Sequence, residues 1–237
     1  MKKEIPNLLT LGNLMAGCIG IWFVMQGDLV SASYCIFISL VCDFFDGFLA
    51  RSLQAYSDLG KELDSLADMV SFGVLPAFIL FGLVEKSCGM QCSVGLFGFY
   101  KPFMVFVLVL MSAYRLAKFN IDTRQSDQFI GVPTPANGIL IASLPLILHF
   151  QPEYSAYILH FKGLLIYAVV MSYLLVCELP LLAFKFKTWD WKRNQVKFIF
   201  LIFCIAALIM LKFAAIPVLV IAYILLSGLI FLLNPNK

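Results

Sequence analysis

Six of the fourteen acidic residues in this chain fall between Asp43 and Asp68, and four of them are spaced as if to work together. Asp43 and Asp46 lie one helical turn apart, and with Gly47 and Ala50 they complete an i, i+3, i+4, i+7 face on which two carboxylates adjoin two very small side chains. Gly60, Asp64 and Asp68 then recur at four-residue intervals, which puts a second carboxylate pair on one helix face with a glycine one turn ahead of it. Carboxylates gathered in a low dielectric repel one another unless something positive sits among them, and the cations near in sequence are Arg51 and Lys61. Two divalent cations balance the charge of Asp43, Asp46, Asp64 and Asp68; oxygen donors without a nearby histidine favour Mg2+ or Mn2+ over zinc. Gly47, Ala50 and Gly60 leave a groove in which a ligand can press against helix backbone, and Arg51, at a helix end, can pair with phosphate through its planar fork. A solvated acidic cap between two helices is the plainer alternative. It accounts for acidic residues in a loop, but not for carboxylates and small residues sharing the same faces.

These helices belong to a membrane protein. A chain of 237 residues that is 62% hydrophobic and 13% charged, with mean hydropathy +0.93, carries more apolar surface than a soluble core can hide. Apolar stretches of about 20 residues, the length that crosses a bilayer, recur throughout and leave no room for a sizeable soluble domain. They lack strand alternation, so helices must satisfy the backbone. The spacing predicts eight spans, near residues 7–26, 30–50, 62–84, 96–117, 135–151, 156–178, 195–213 and 215–233, in a single transmembrane domain over 1–237. The first could pass for a signal peptide, but no convincing cleavage site follows and the next span begins almost at once, so it reads as a retained helix.

With Lys2 and Lys3 in the cytoplasm, that count puts thirteen of the seventeen basic residues on one side; only Lys86, Lys101, Lys162 and Lys212 fall elsewhere. Both termini and the acidic cluster are then cytoplasmic. A net charge of +3 without a basic run argues against nucleic acid as a partner. Most of the seven cysteines sit in predicted spans as small apolar residues; Cys88 and Cys92, in a loop, have a spacing that would allow a disulfide in an oxidising compartment.

Written out, the acidic segment is Asp43-x2-Asp46-Gly47-x2-Ala50-Arg51-x8-Gly60-x3-Asp64-x3-Asp68. It resembles, without departure, the signature of the CDP-alcohol phosphotransferase family, and eight fixed residues over 26 positions make the match specific. The resemblance implies an all-α polytopic membrane enzyme with a six-helix core (about residues 1–178), to which the spans near 195–233 would add two C-terminal helices. It implies a homodimer with a site open to the cytoplasmic leaflet, in a bacterial inner membrane. It further implies that Asp43, Asp46 and Asp64 are metal ligands, with Asp64 bridging two ions, and that Asp68 serves the second ion and acts as general base. Gly47, Arg51 and Ser57 match positions that contact the CDP-linked lipid, with Ala50 and Gly60 beside them; Asn7 and Thr10, in Pro6-Asn7-Leu8-Leu9-Thr10, resemble its nucleotide-side contact.

The opening IPNLLTLGNL, the stretch from Arg115 to Asn120, and Gly131-Val-Pro-Thr-Pro-Ala-Asn-Gly138 resemble the phosphatidylserine synthase branch. The implied substrates are CDP-diacylglycerol and L-serine, with Arg115 the candidate for the serine carboxylate. Lys118 departs from the branch, which often has arginine there. Other acceptors within the family stay open: glycerol 3-phosphate, inositol, inositol phosphate or choline. So do an ion or proton transporter, which would spread its ionisable residues through the bundle, and a non-catalytic metal scaffold. Gly131, Pro133 and Pro135 read more simply as a helix-entry turn, and His149 and His160 as interfacial residues far from the acidic cluster.

Overall fold

In the computed structural model, residues 4–89, 101–122, 129–181 and 191–233 are described. The chain runs through α1 (Glu4–Met25), α2 (Leu29–Ser52), α3 (Asp58–Asp68), a π-helical segment (Met69–Val74) and α4 (Leu75–Cys88). A 3-10 turn (Lys101–Phe106) leads into α5 (Val107–Ile121), followed by α6 (Thr134–Phe150), the short α7 (Ser155–Ile158), α8 (Phe161–Val176), α9 (Trp191–Leu211) and α10 (Ala215–Leu233). A helix stands at each predicted span. Among the described residues, five helical runs are long and apolar enough to cross a membrane, or six if the bent pair Pro152–Ile158 and Phe161–Val176 forms one span; Thr134–Phe150 is apolar but shorter.

One of those runs, Phe200–Phe231, is not straight. Lys212 takes a left-handed backbone at φ 51, and the ring of Phe200 meets that of Tyr223 at 6.3 Å, so α9 and α10 fold back as a hairpin. Gln151, just past α6, clasps the hairpin's turn: its Nε2 donates to the Leu211 carbonyl and its Oε1 accepts from the Ala214 N–H, both at 3.1 Å.

On α1 the usual polarity of a soluble helix is inverted. The buried face of α1 carries Pro6, Thr10, Asn13, Ala16, Gly17 and Gly20, whereas Leu8, Met15, Trp22 and Met25 point outward. Hydrocarbon tolerates the outer face, and because lipid supplies no hydrophobic drive between helices, close packing of small residues must hold them. Gly17 shows how close. A Cβ there would lie 3.1 Å from the Ser71 Cα, so α1 rests directly on the backbone of the π-helical segment. The apolar interior is centred on Phe72, Leu75, Ile79, Leu80 and Leu83, packed against Ile36 and Ile141.

Two small strands were not foreseen. β1 (Phe129–Ile130) pairs antiparallel with β2 (Pro180–Leu181), Phe129 opposite Leu181. Just past β1, Gly131 adopts φ +74, and a Cβ on it would approach the Leu175 carbonyl to 2.7 Å, so this turn needs glycine twice over. Pro133 precedes the first turn of α6, as the helix-entry reading of Gly131, Pro133 and Pro135 requires. His160 caps α8, its Nδ1 accepting from the Gly163 N–H at 3.2 Å. Asp28 caps α2 through the Ser31 N–H at 3.0 Å, and this bonding holds its carboxyl below the ordinary range. Cys88 is disulfide-bonded. Lys2, Lys3 and Cys92 lie outside the described residues, as do the basic residues Arg124, Lys185, Lys187 and Lys237.

Candidate active site

The link between α2 and α3 aims the two acidic helices at one another. α2 ends with Arg51 in its last turn, where a cation suits the helix dipole; the chain then reverses through Gln54, left-handed at φ 51, while the Ala55 N–H returns to the Ala50 carbonyl at 2.9 Å. Ser57 starts α3 by accepting the Gly60 N–H on its Oγ at 3.0 Å, and Asp58 sits in the first turn where negative charge is favoured. A non-glycine residue held at positive φ costs on the order of 1 kcal/mol, so the turn is held by the helices it joins rather than by its own preference.

Four carboxylates face one another across this junction. Asp43, Asp64 and Asp68 can each turn one oxygen into a set in which all lie within 4.8 Å of one another. Asp64 Oδ1 is buried without a hydrogen-bond partner among the described residues, a donor atom left for a ligand. Asp46 stands apart from that closest set. It is 6% exposed and close enough to Asp64 to act on its charge, and its Oδ2 receives the hydroxyl of Thr10 at 2.7 Å. Thr10 has a single proton, and the charged acceptor is favoured over the Pro6 carbonyl at 3.1 Å. Asp68, 9% exposed, accepts from Asn13 Nδ2 at 3.2 Å. Asn13 is in turn fixed through its backbone carbonyl, which receives the hydroxyls of Ser39 at 3.1 Å and Ser71 at 2.9 Å. A hard divalent cation fits such an all-oxygen, partly desolvated set, and it relieves the repulsion between carboxylates at this range.

Beside the carboxylates opens a cavity of about 680 Å3. It is lined by Asn7, Thr10, Gly47, Ala50, Arg51, Ser57 and Gly60, which are the lipid- and nucleotide-side residues expected from the sequence, together with Asp46 and Asp64. Space is tight at Gly60 and ordinary at Gly47. A Cβ on Gly47 would sit 3.5 Å from Arg51 Nη1, and one on Gly60 would lie 3.0 Å from Ser57 Oγ and 3.1 Å from Asn7 Oδ1. A side chain at either position would take up room in the cavity, beside Arg51 at the first and beside Ser57 and Asn7 at the second.

Arg115, like Asp43 and Asp68, is an expected site residue outside that lining. It is 8% exposed on α5, with its guanidinium 5.9 Å from the Phe119 ring, and it lies near enough to Asp68 to feel that carboxylate's charge. Lys61 lines the cavity but gives its ammonium to the Asn120 carbonyl at 2.8 Å. Asn120 completes the tie between α3 and α5 by donating to Ser65 Oγ at 2.8 Å. Lys118 pairs with Glu178 at 3.3 Å, which fastens the end of α5 to the segment after α8.

Asn13 and Asn120 are the residues that reasoning from sequence missed. For Asn13 a signal existed: it stands at i+3 from Thr10 on the stripe that continues to Gly17 and Gly20. An amide on an otherwise small-residue face within a span is costly unless it has a partner.

The profile of the CDP-alcohol phosphatidyltransferase family matches residues 3–179. The chain is 35% identical over 143 residues to a CDP-diacylglycerol–serine O-phosphatidyltransferase of Bacillus subtilis, covering 59% of this chain and 74% of that protein. A Helicobacter pylori protein of the same name is 32% identical over 201 residues, covering 83% of this chain and 79% of the relative. An archaetidylserine synthase of Methanothermobacter thermautotrophicus is 30% identical over 154 residues, covering 64% and 61%. The matched range contains every carboxylate of the cluster and the whole cavity lining, and the chain belongs to the CDP-alcohol phosphatidyltransferase family, as a polytopic membrane enzyme of that kind.

Proposed function

We propose that this enzyme transfers the phosphatidyl group of CDP-diacylglycerol to L-serine, giving phosphatidylserine and CMP. The observation that carries the chemistry is the convergence of Asp43, Asp64 and Asp68 within 4.8 Å beside a cavity that contains Arg51. The choice of serine rests on the names borne by relatives that cover most of the chain.

Divalent cations, Mg2+ or Mn2+ and two per site, would be held by Asp43, Asp46, Asp64 and Asp68, and when bound they neutralise the diphosphate and the departing CMP. Arg51 pairs with phosphate oxygens of the lipid substrate, and Gly47, Ala50 and Gly60 let the nucleotide end approach the helices, with Asn7, Thr10 and Ser57 at its polar edge. Asp68 accepts the proton of the serine hydroxyl as that oxygen bonds to the lipid-linked phosphorus; the bond from phosphorus to the CMP oxygen breaks, and CMP leaves with the electron pair. Asn13 holds Asp68 by its Oδ1, which orients the carboxylate toward the metal and the acceptor.

The same reading places the acidic cluster and both termini on the cytoplasmic side of a bacterial inner membrane, with eight crossings and a homodimeric assembly. The family match over 3–179 supports taking about 1–178 as the catalytic core and the α9–α10 hairpin as an addition.

The test is an acceptor panel. Membranes containing the protein are given CDP-diacylglycerol, Mg2+ or Mn2+, and in turn L-serine, glycerol 3-phosphate, inositol, inositol phosphate and choline, and CMP release is scored. L-serine should drive release well above every other alcohol. Release driven by another alcohol reassigns the acceptor, and no release with any of them removes the transferase reading.

A further inference from the structure

A second cavity, of about 490 Å3, lies between the helices of the family-matched region and the C-terminal hairpin. Leu140 and Leu144 line it from α6, Val170 and Leu174 from α8, and Ile221 and Leu225 from α10. Only two of its lining side chains carry a hydroxyl. That of Tyr167 is spent on Asn137 Oδ1 at 2.7 Å, and Tyr157 stands at one end, 81% exposed. Water finds no partners in such a space, whereas hydrocarbon loses nothing by entering it. Val170, Ile221 and Leu225 are 48%, 52% and 62% exposed, so the cavity is a groove open along its side to the lipid around the spans.

Its two ends differ. α8 and α10 run along it in the same direction: Gln151, just ahead of α7, holds the turn that starts α10, and a Cβ on Gly228, late in α10, would lie 3.9 Å from Leu179, past the end of α8. Both helices therefore start at one membrane face. It is the face away from the carboxylates, because the end of α8 is tied through Glu178 and Lys118 to the end of α5, whose Asn120 accepts from Lys61 of α3. A lysine stands at each start. Lys162 immediately precedes Gly163 of the lining, and Lys212 occupies the turn before Pro217 of the lining. Both are exposed, and neither has an ion pair among the described residues; Glu153, in the turn before α7, sets one negative charge against their two. Lys212 holds its position at φ 51, in a turn that glycine would make with less strain. From Gly163 to Leu174 the helix rises roughly 16 Å, about half of the ~30 Å hydrocarbon core and so the depth of one leaflet.

We propose that this groove binds an anionic glycerophospholipid of the leaflet opposite the carboxylate site. One acyl chain lies between α8 and α10, its phosphate meets Lys162 and Lys212, and the Tyr157 ring sits at headgroup depth. The charges favour a lipid over a second copy of this chain, since a two-fold contact across the groove would set the lysines of both copies at the same membrane level. Nothing in this site depends on which alcohol accepts the phosphatidyl group.

Native mass spectrometry of the purified full-length protein, titrated with phosphatidylglycerol or with phosphatidylcholine of the same acyl chains, tests it. Wild type should take up one phosphatidylglycerol in preference to phosphatidylcholine. In Lys162→Gln/Lys212→Gln the affinity for phosphatidylglycerol should fall on the order of ten-fold while that for phosphatidylcholine stays unchanged. Val170→Trp and Ile221→Trp, which fill the groove from its two sides, should weaken both lipids. Lipid held in the catalytic cavity, at the other membrane face, does not respond to these substitutions. Equal binding of the two lipids by wild type, or phosphatidylglycerol binding that survives the loss of both lysines, overturns the proposal. So does a tryptophan variant that changes the oligomeric mass and leaves lipid binding intact, which assigns the groove to a second copy. A melting temperature taken without lipid shows whether each variant is folded; the lysines are exposed, and the lysine pair alone decides the matter should a tryptophan variant unfold.

Discussion

Asp68→Asn should abolish turnover while leaving CDP-diacylglycerol binding nearly intact. The substitution keeps the size of the side chain and an oxygen to accept from Asn13 Nδ2, so the hydrogen bond that now spans 3.2 Å can survive. What it removes is the ability to take the acceptor's proton. A positioned general base is worth roughly 10^2–10^4-fold, so CMP release should fall by at least two orders of magnitude, with the apparent Kd for the CDP-lipid changed by only a few-fold. Rates near wild type would discard Asp68 as the base. A large loss of CDP-lipid affinity would instead assign it to substrate binding.

The second large effect is expected at Asp64→Ala. Asp64 lies between the helix pairs: its carboxylate joins Asp43 and Asp68 at short range, Asp46 acts on its charge, and its Oδ1 is buried without a partner among the described residues. Truncation removes that donor from the middle of the set, so stimulation by Mg2+ or Mn2+ should disappear together with activity. The loss reflects several kcal/mol of charge stabilisation that no neighbouring residue can replace. Titrating each metal against CMP release in variant and wild type measures it. Persistent metal-stimulated release in the variant would remove Asp64 from the metal-holding role.

Much of this site could be read from the sequence because its parts are local. Asp43 with Asp46, and Asp64 with Asp68, are helical neighbours; Gly47, Ala50 and Gly60 lie on the same faces, and a link of a few residues leaves little choice but to bring the faces together. Even Asn7 and Thr10 came within reach, through a resemblance at the start of the first helix. Residues whose role depends on distant packing were illegible. Asn13 meets Asp68 across 55 positions, and Arg115 comes near Asp68 only because α5 packs against the π-helical segment. That segment itself, Met69–Val74, is a run of apolar and small residues with no feature to distinguish it from an ordinary helix. It lets Ser71 turn back to α1 while Gly73 presents α5 with bare backbone, a local widening of the kind that recurs at functional sites. The strand pair and the Gln151 clasp escaped for the same reason: each consists of a few residues whose partners are set by tertiary structure.

The central claim is that the acidic side chains of α2 and α3 share one pocket of divalent cations. Anomalous scattering from crystals of the enzyme grown with Mn2+ tests it most directly. Density between Asp43, Asp64 and Asp68, with Asp46 at its edge, is the predicted result. Mn2+ that supports turnover yet binds only away from these four carboxylates would contradict the account.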